Sequence, residues 1–488
     1  STLQRMELLK TGYMGTLSLG WDNYLFLELT GRQERSSTLK DQSFFYPSAN
    51  LSFLFTQAFH MPSWWNYGKL RLSYGIVGNA PETYTANIVY EQGSDNGFTW
   101  NTIPSSWGNA DIRPEKKYEY EIGLESKFLN NRLGIDVSYY NNRVKDQILS
   151  TPQPSTSGVK NVLMNVGEVA NHGWDISISA TPILTRDFRW DLTANYGVYK
   201  NKVVKLADGV PYLEILNSGG SGIKIQAVEG QPMGDIYAQV PQVNENGEYL
   251  VSDKGLYLNQ TELQKVGNIN PAGVGGLFNS FSYKNVFLDF SIDFRIGGDV
   301  INEMNQYATA VGLTPESLKY RDTEHGGLSY YYPGDNNSSG IPVQVDPSTG
   351  AGPNGEIIYH DGIILPGVVA STGERNTRII PAGYYYNTTY NWGTEAEQLT
   401  YRHSVFDNSY VKLRELTIGY QFPEKMISKL GLGRLSVSVF GRNLFYFYKA
   451  LKNYDAESSV GTSWANQATV GSSTTATRSF GVSLRASF

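Results

Sequence analysis

The chain has 488 residues, with 40 Lys and Arg against 46 Asp and Glu, a net charge of −6. That balance argues against nucleic acid as a partner. The absence of cysteine excludes a disulfide scaffold, a thiolate metal site and a cysteine nucleophile. No run of about 18 uncharged apolar residues occurs, so no membrane-crossing helix is expected. The chain opens at Ser1 without an initiator Met, which predicts a piece or processed product of a longer protein.

The predicted elements are almost all strands. In chain order they fall at about 13–21, 24–35, 44–59, 67–78, 116–128, 132–147, 162–183, 186–203, 275–284, 286–298, 409–422, 434–446 and 478–488. The signal is a period of two. Leu70, Leu72, Tyr74 and Ile76 alternate with Lys69, Arg71, Ser73 and Gly75. Further on, Val286, Leu288, Phe290, Ile292, Phe294 and Ile296 alternate with Phe287, Asp289, Ser291, Asp293, Arg295 and Gly297. Successive strand side chains point to opposite faces, so one face is apolar and the other polar. Many of these segments exceed the usual strand of about 5–6 residues and reach the roughly 9–11 that a membrane crossing needs.

The connections alternate in length. Short ones are Asp22-Asn23, 60–66, Asn130-Asn131, 184–185, Lys284-Asn285 and 423–433. Long ones are 36–43, 79–115, 148–161, 204–274, 299–408 and 447–477. Short turns at one end and long loops at the other describe an outer-membrane β-barrel. Aromatic residues gather at strand ends, as at Trp21, Tyr24, Trp64, Trp65, Phe188, Trp190, Tyr420 and Phe422. Girdles at the two bilayer interfaces account for that. A large soluble β-sandwich or solenoid is the competing architecture, but it gives no reason for aromatics at strand ends.

Little here carries catalysis. The only Gly-Lys, Gly68-Lys69, lies inside a strand rather than in a phosphate loop. His60, His172, His325, His360 and His403 show no metal-ligand spacing. The stretch 335–340 has turn chemistry and lacks a calcium loop's closing Glu. No catalytic residue, metal or cofactor is therefore expected. Glu119, Glu121, Asp289, Asp293 and Arg295 are expected to line the lumen. Loop 299–408 holds Tyr330, Tyr331, Tyr332, Tyr384, Tyr385, Tyr386 and Trp392. Such rings suit contact with cargo or with a covering protein. Packing the loop itself is the competing role for them.

Several stretches carry a family match. They include TGYMGTLSLGWDNYLFLELTGRQERSS (11–37), RPEKKYEYEIGLESKFLNNRLGIDVSYYNNRVKDQIL (113–149), NVGEVANHGWDISISATPI (165–183), NPAGVGGLFNSFSYKNVFLDFSIDFRIGGDV (270–300), NSYVKLRELTIGYQFP (408–423) and GRNLF (441–445). With them the chain resembles the SusC/RagA family of TonB-dependent outer-membrane transporters, typical of Bacteroidetes. The resemblance implies an all-β, transmembrane antiparallel barrel of about 22 strands, of which these thirteen are the last. The chain is then the C-terminal part of one barrel domain. The plug and N-terminal extension lie outside it, and 79–115, 204–274, 299–408 and 447–477 are its long external loops. Single-chain bacterial barrels have even strand counts, so the rest of the same protein must complete this one.

The resemblance further implies import of an oligomeric nutrient, an oligosaccharide or an oligopeptide. A SusD-like surface lipoprotein would act as lid, and TonB would couple through the missing N-terminal part. Outer-membrane lipids would surround the barrel, and a dimer of the two-protein complex is compatible with the pattern. A passive porin or surface scaffold without energy coupling is the alternative. Phe488, terminal and in phase with its strand, is expected to serve as an assembly signal. One departure stands out: the family's Asp-Pro-Glu-like element reads Asp455-Ala456-Glu457 here.

Overall fold

The computed structural model describes residues 6–40, 43–152, 156, 158–218, 222–334, 340–391, 400–459, 461, 463–471 and 476–487. One sheet of thirteen antiparallel strands dominates, and its spatial order follows chain order. The strands are β1 (Lys10–Trp21), β2 (Leu25–Ser36), β3 (Ser43–Phe53), β4 (Trp65–Asn79), β5 (Glu115–Phe128), β6 (Leu133–Lys145), β7 (Glu168–Leu184), β8 (Phe188–Lys205), β9 (Gly273–Tyr283), β10 (Val286–Ile296), β11 (Tyr410–Gln421), β12 (Arg434–Lys449) and β13 (Ser479–Ser487). All thirteen lie where the alternation predicts them. Most bounds agree within three residues.

Turn chemistry sets the short end. Asp22 and Asn23 join β1 to β2 with φ of 47° and 56°, the left-handed pair that a tight hairpin needs. Nearby rings interlock. Phe55 meets Trp65 edge-on at 5.3 Å, and Trp190 stacks on Phe281 at 5.5 Å.

Two boundaries differ from expectation. The strand read through 44–59 stops at Phe53, and Phe55–Ala58 forms a helical turn. Thr56 there accepts the Gly68 N–H at 3.0 Å. The Phe55 ring occupies the space a Cβ on Gly68 would need. The apolar run continues past the strand because it packs the turn. The segment read as 162–183 is two elements. Asn161–Asn165 pairs with Ile148–Pro152 in a separate loop sheet, and β7 begins at Glu168. Gly167, with φ of 95°, breaks the run between them.

Buried apolar residues concentrate outside the large sheet. Ile223, Ile225, Ile236 and Ile301 are fully buried and belong to one cluster. The first three come from a four-stranded sheet of Tyr212–Ser218, Ile223–Val228, Asp235–Ala238 and Gln264–Asn268. Residues Asp299–Ile301 pair with Val405–Asp407, closing the base of the longest loop. Inside that loop lie helices Glu303–Ala310 and Ala382–Tyr390 and a second four-stranded sheet.

Candidate polar face and loop clamp

The register places Glu119, Glu121, Asp289, Asp293 and Arg295 on one face of the sheet, as the alternation predicts. Arg71 on β4 shares it. Its guanidinium crosses β5 to reach β6, donating Nη1 to Asp136 Oδ2 at 3.1 Å and Nη2 to Asp136 Oδ1 at 2.6 Å. A third bond goes to Ser138 Oγ at 3.0 Å. Gly123 on β5 makes the crossing possible, since a Cβ there would lie 2.7 Å from Arg71 Nη2. The planar fork of Arg suits this bidentate contact.

Arg71 and Asp136 border a cleft of about 690 Å³ that runs across the polar face to Asp293, Arg295 and Tyr410. Its walls are carboxylates, hydroxyls, amides and glycines with a few aromatic rings. Such a surface can hold polar solute and water through many weak contacts. Arg295 is less available than its charge suggests. It donates Nε to Gly297 O at 3.1 Å and Nη2 to Ile269 O at 3.0 Å, so it ties the β10 end to the loop base.

At the long-loop end a second charged group forms. Arg414 sits at a bulge on β11: Leu413 and Glu415 pair across to Ile292 and Ser291, leaving Arg414 unpaired. Bulges re-aim side chains. This one sends Arg414 Nε to Asp293 Oδ2 at 2.5 Å and Nη2 to Glu457 Oε1 at 2.5 Å. Lys412, only 2% exposed, meets Glu457 Oε2 at 2.5 Å. Tyr446 donates to Asp455 Oδ1 at 2.5 Å, and Asp455 also accepts the Ala476 N–H at 3.0 Å. Burial works to raise the Glu457 carboxyl, but the hydrogen bonds of Arg414 and Lys412 prevail and hold it at about 2. The Asp-Ala-Glu departure is thus a clamp that fastens the last loop to β11 and β12. Ala456 adds its carbonyl, which accepts from Asn408 Nδ2 at 2.9 Å.

The stretch Gly267-Asn268-Ile269-Asn270-Pro271 anchors the loop base. Asn268 Nδ2 donates to Asp235 Oδ1 at 2.7 Å, and Asn270 Nδ2 to Met233 O at 2.6 Å.

The tyrosines of loop 299–408 divide. Tyr330, Tyr332 and Tyr386 are buried. Tyr330 stacks with Tyr359 at 5.5 Å, and Tyr386 donates to Glu316 O at 2.8 Å. The contact role expected of these three is not available in this arrangement, because their rings form the loop's interior. Tyr331, Tyr384 and Tyr385 are half-buried. Trp392 and Phe488 lie outside the described residues, as does the stretch 335–339. His403 is half-buried and stacks on Tyr390, with ring centroids 4.3 Å apart. Burial, then the nearby Arg402, lowers its pKa to about 4, so it is neutral at ordinary pH. Among the described residues no group of three or more His, Asp or Glu is arranged to hold a metal ion.

The sequence reading missed Arg71, Asp136, Lys412, Arg414 and Glu457 as interacting groups. A signal existed for the first two: a charge on the polar phase of a strand, with a glycine on that phase of the strand paired to it.

Residues 10–241 match the family model described as TonB dependent receptor-like, beta-barrel. TonB-dependent receptor P3 of Formosa agariphila is 24% identical over 417 residues, covering 78% of this chain and 35% of that protein. TonB-dependent receptor SusC of Bacteroides thetaiotaomicron is 30% identical over 247 residues, covering 46% of this chain and 24% of that protein. The chain spans about a third or less of the length of these curated relatives. Among solved structures, the RagAB peptide importer in its open-open state superposes with a TM-score of 0.68 at 18% identity, covering 99% of this chain and 47% of that one. At that identity the likeness is one of fold.

Proposed function

We propose that this chain, which is similar to TonB-dependent receptors of the SusC type, carries the β-barrel of such an outer-membrane transporter and imports an oligomeric nutrient. The cargo is an oligosaccharide or oligopeptide, and a SusD-like lipoprotein covers the long-loop end. TonB acts through a segment outside this chain. The chain itself supplies thirteen strands of one transmembrane barrel. Its polar face, with Glu119, Glu121, Asp289, Asp293 and Arg295, lines the path. The half-buried Tyr331, Tyr384 and Tyr385 meet cargo or lid from the longest loop.

The observation that carries this reading is the two-faced sheet. One face holds the cleft of about 690 Å³ among polar residues. The other exposes Leu72, Ile122, Leu124, Trp174 and Ile178, each at least 37% accessible. A water-exposed sheet would bury such a face. A bilayer accommodates it.

The test is excision of the longest loop at its natural base. Asn408 N donates to Gly298 O at 3.0 Å, so the two loop ends already touch. Joining Ile301 to Val405 through a short turn should leave assembly intact and abolish growth on the oligomeric nutrient. Unimpaired uptake would sink the loop assignment.

A further inference from the structure

We propose that the upper outward face of β5–β8 binds the phosphate-bearing headgroup of an outer-leaflet lipid. The proposal rests on the reading above, in which the apolar face meets lipid and the long-loop end is external.

The cross-strand register builds the site in rows. Leu72, Ile122, Tyr139 and Trp174 form one row on the apolar face. The rows above it, toward the long loops and still on the same face, turn basic. They carry Lys116, Arg143, Lys145, Lys200, Lys202 and Lys205. All six are exposed. Glu168 is the one acid among them, bonded by Arg143 Nη1 at 3.0 Å and 4.0 Å from Lys145 Nζ. Lys205 pairs with Asp208 at 3.1 Å. Lys116, Lys200 and Lys202 make no ion pair among the described residues.

The face is also shaped. Ala170 stands between Arg143 and Lys202 in one row. Its methyl group leaves a recess between two cations on strands about 10 Å apart. Beside it lies a cavity of about 230 Å³ lined by Tyr74, Tyr118, Tyr120, Asn141, Arg143 and Lys145, with Glu119 as its one carboxylate. Lys145 Nζ sits 5.9 Å from the Tyr118 ring. Tyrosines mark the interfacial level of a bilayer, and cations just beyond them meet headgroups.

The patch is local. Continued onto β1–β3, the same rows meet Ala49, Leu29 and Leu17, then Pro47, Gly31 and Gly15, none of them charged. A general requirement of the outer leaflet would ring the barrel. In the rows compared, the charge falls on β5–β8 and is continuous with the lipid-facing band, which fits one anionic headgroup held in place; on β2 the nearest charge of that face is Arg35, two rows above Gly31.

The experiment uses the whole receptor, with the segments outside this chain, in detergent. It is titrated with a phosphorylated glycolipid, the same lipid after dephosphorylation, and inorganic phosphate. The test variant carries Arg143→Gln, Lys145→Gln, Lys200→Gln and Lys202→Gln. A control carries Lys69→Gln and Lys117→Gln on the polar face. The phosphorylated lipid should bind the unaltered protein and the control alike. Dephosphorylation or the fourfold change should weaken binding about tenfold or more. Equal affinity in the fourfold variant, or for the dephosphorylated lipid, would overturn the proposal. Displacement by inorganic phosphate would also overturn it, since the site would then serve a soluble anion. Heat-modifiable migration and outer-membrane fractionation keep the two readings apart. A protein that fails both removes the barrel reading and the proposal with it. One that passes both and binds equally removes the proposal alone.

Discussion

The large sheet and the long loops solve opposite packing problems with the same residue types. In the sheet the large apolar side chains lie exposed on one face, as with Ile122 at 48% and Trp174 at 46% exposure, while charges pair across the other. In the loops the apolar side chains turn inward, and Ile223, Ile225, Ile236 and Ile301 are fully buried. A sheet of this kind is inside out until lipid surrounds it. The loop assembly buries its apolar side chains as a fold in water does. The difference shows that burial alone is a poor guide to which part of this protein is stable, because the medium outside each part differs.

Substitutions can break that comparison. The largest effect belongs to the loop core. Ile225→Ala should cost about 3–4 kcal/mol locally, the usual penalty for a cavity in a packed core. Hydrogen exchange over 212–268 should rise while barrel migration stays unchanged. Next comes the apolar face. Ile122→Arg should cost about 2–4 kcal/mol in a bilayer if it lies near the midplane. In water the same change would cost almost nothing, so denaturant titration in liposomes separates the two cases by the size of the loss.

The clamp comes third. Glu457→Gln strips the charge partner from Lys412, which is 2% exposed, and should cost about 3 kcal/mol at that loop. Its pH dependence has a defined sign. The folded carboxyl titrates at about 2 against an ordinary 4.5. The stabilisation is therefore complete above pH 4.5 and fades as pH falls toward 2. Proteolysis of 450–478 should accelerate through that window in the unaltered protein, and Glu457→Gln should abolish the acceleration. The smallest effect is Gly123→Val. Its side chain would displace the Arg71 guanidinium from Asp136, at about 1 kcal/mol for a part-exposed pair. Loss of the bidentate contact should appear as altered ion selectivity in single-channel recording rather than as unfolding.

The strands were legible because a half-buried strand repeats every two residues, and that signal is local. It failed where apolar residues served something other than the wall. Phe55 fills the turn beneath Gly68, and Val162 to Met164 belong to a loop sheet. The loop core lacked such a signal. Ile225 and Ile301 are 76 residues apart in sequence and share a cluster only through the fold. The tyrosines show the same limit, since Tyr330 and Tyr331 are neighbours in one strand and only the first is buried. Asp455-Ala456-Glu457 was visible as a departure, but its partners Lys412 and Arg414 stand 43 to 45 residues earlier.

The central claim is that β4–β11 divide lipid from a water-filled path. The chain has no cysteine, so single cysteines placed in it are read against the same receptor without them. In the whole receptor, embedded in native membrane, Glu121→Cys, Asp175→Cys and Asp293→Cys should react with a charged, water-soluble maleimide. Ile122→Cys, Ile176→Cys and Ile292→Cys should resist it, and spin labels there should be relaxed by oxygen rather than by an aqueous nickel chelate. Equal reaction of both sets with the maleimide would contradict the account, because the sheet would then have water on both faces.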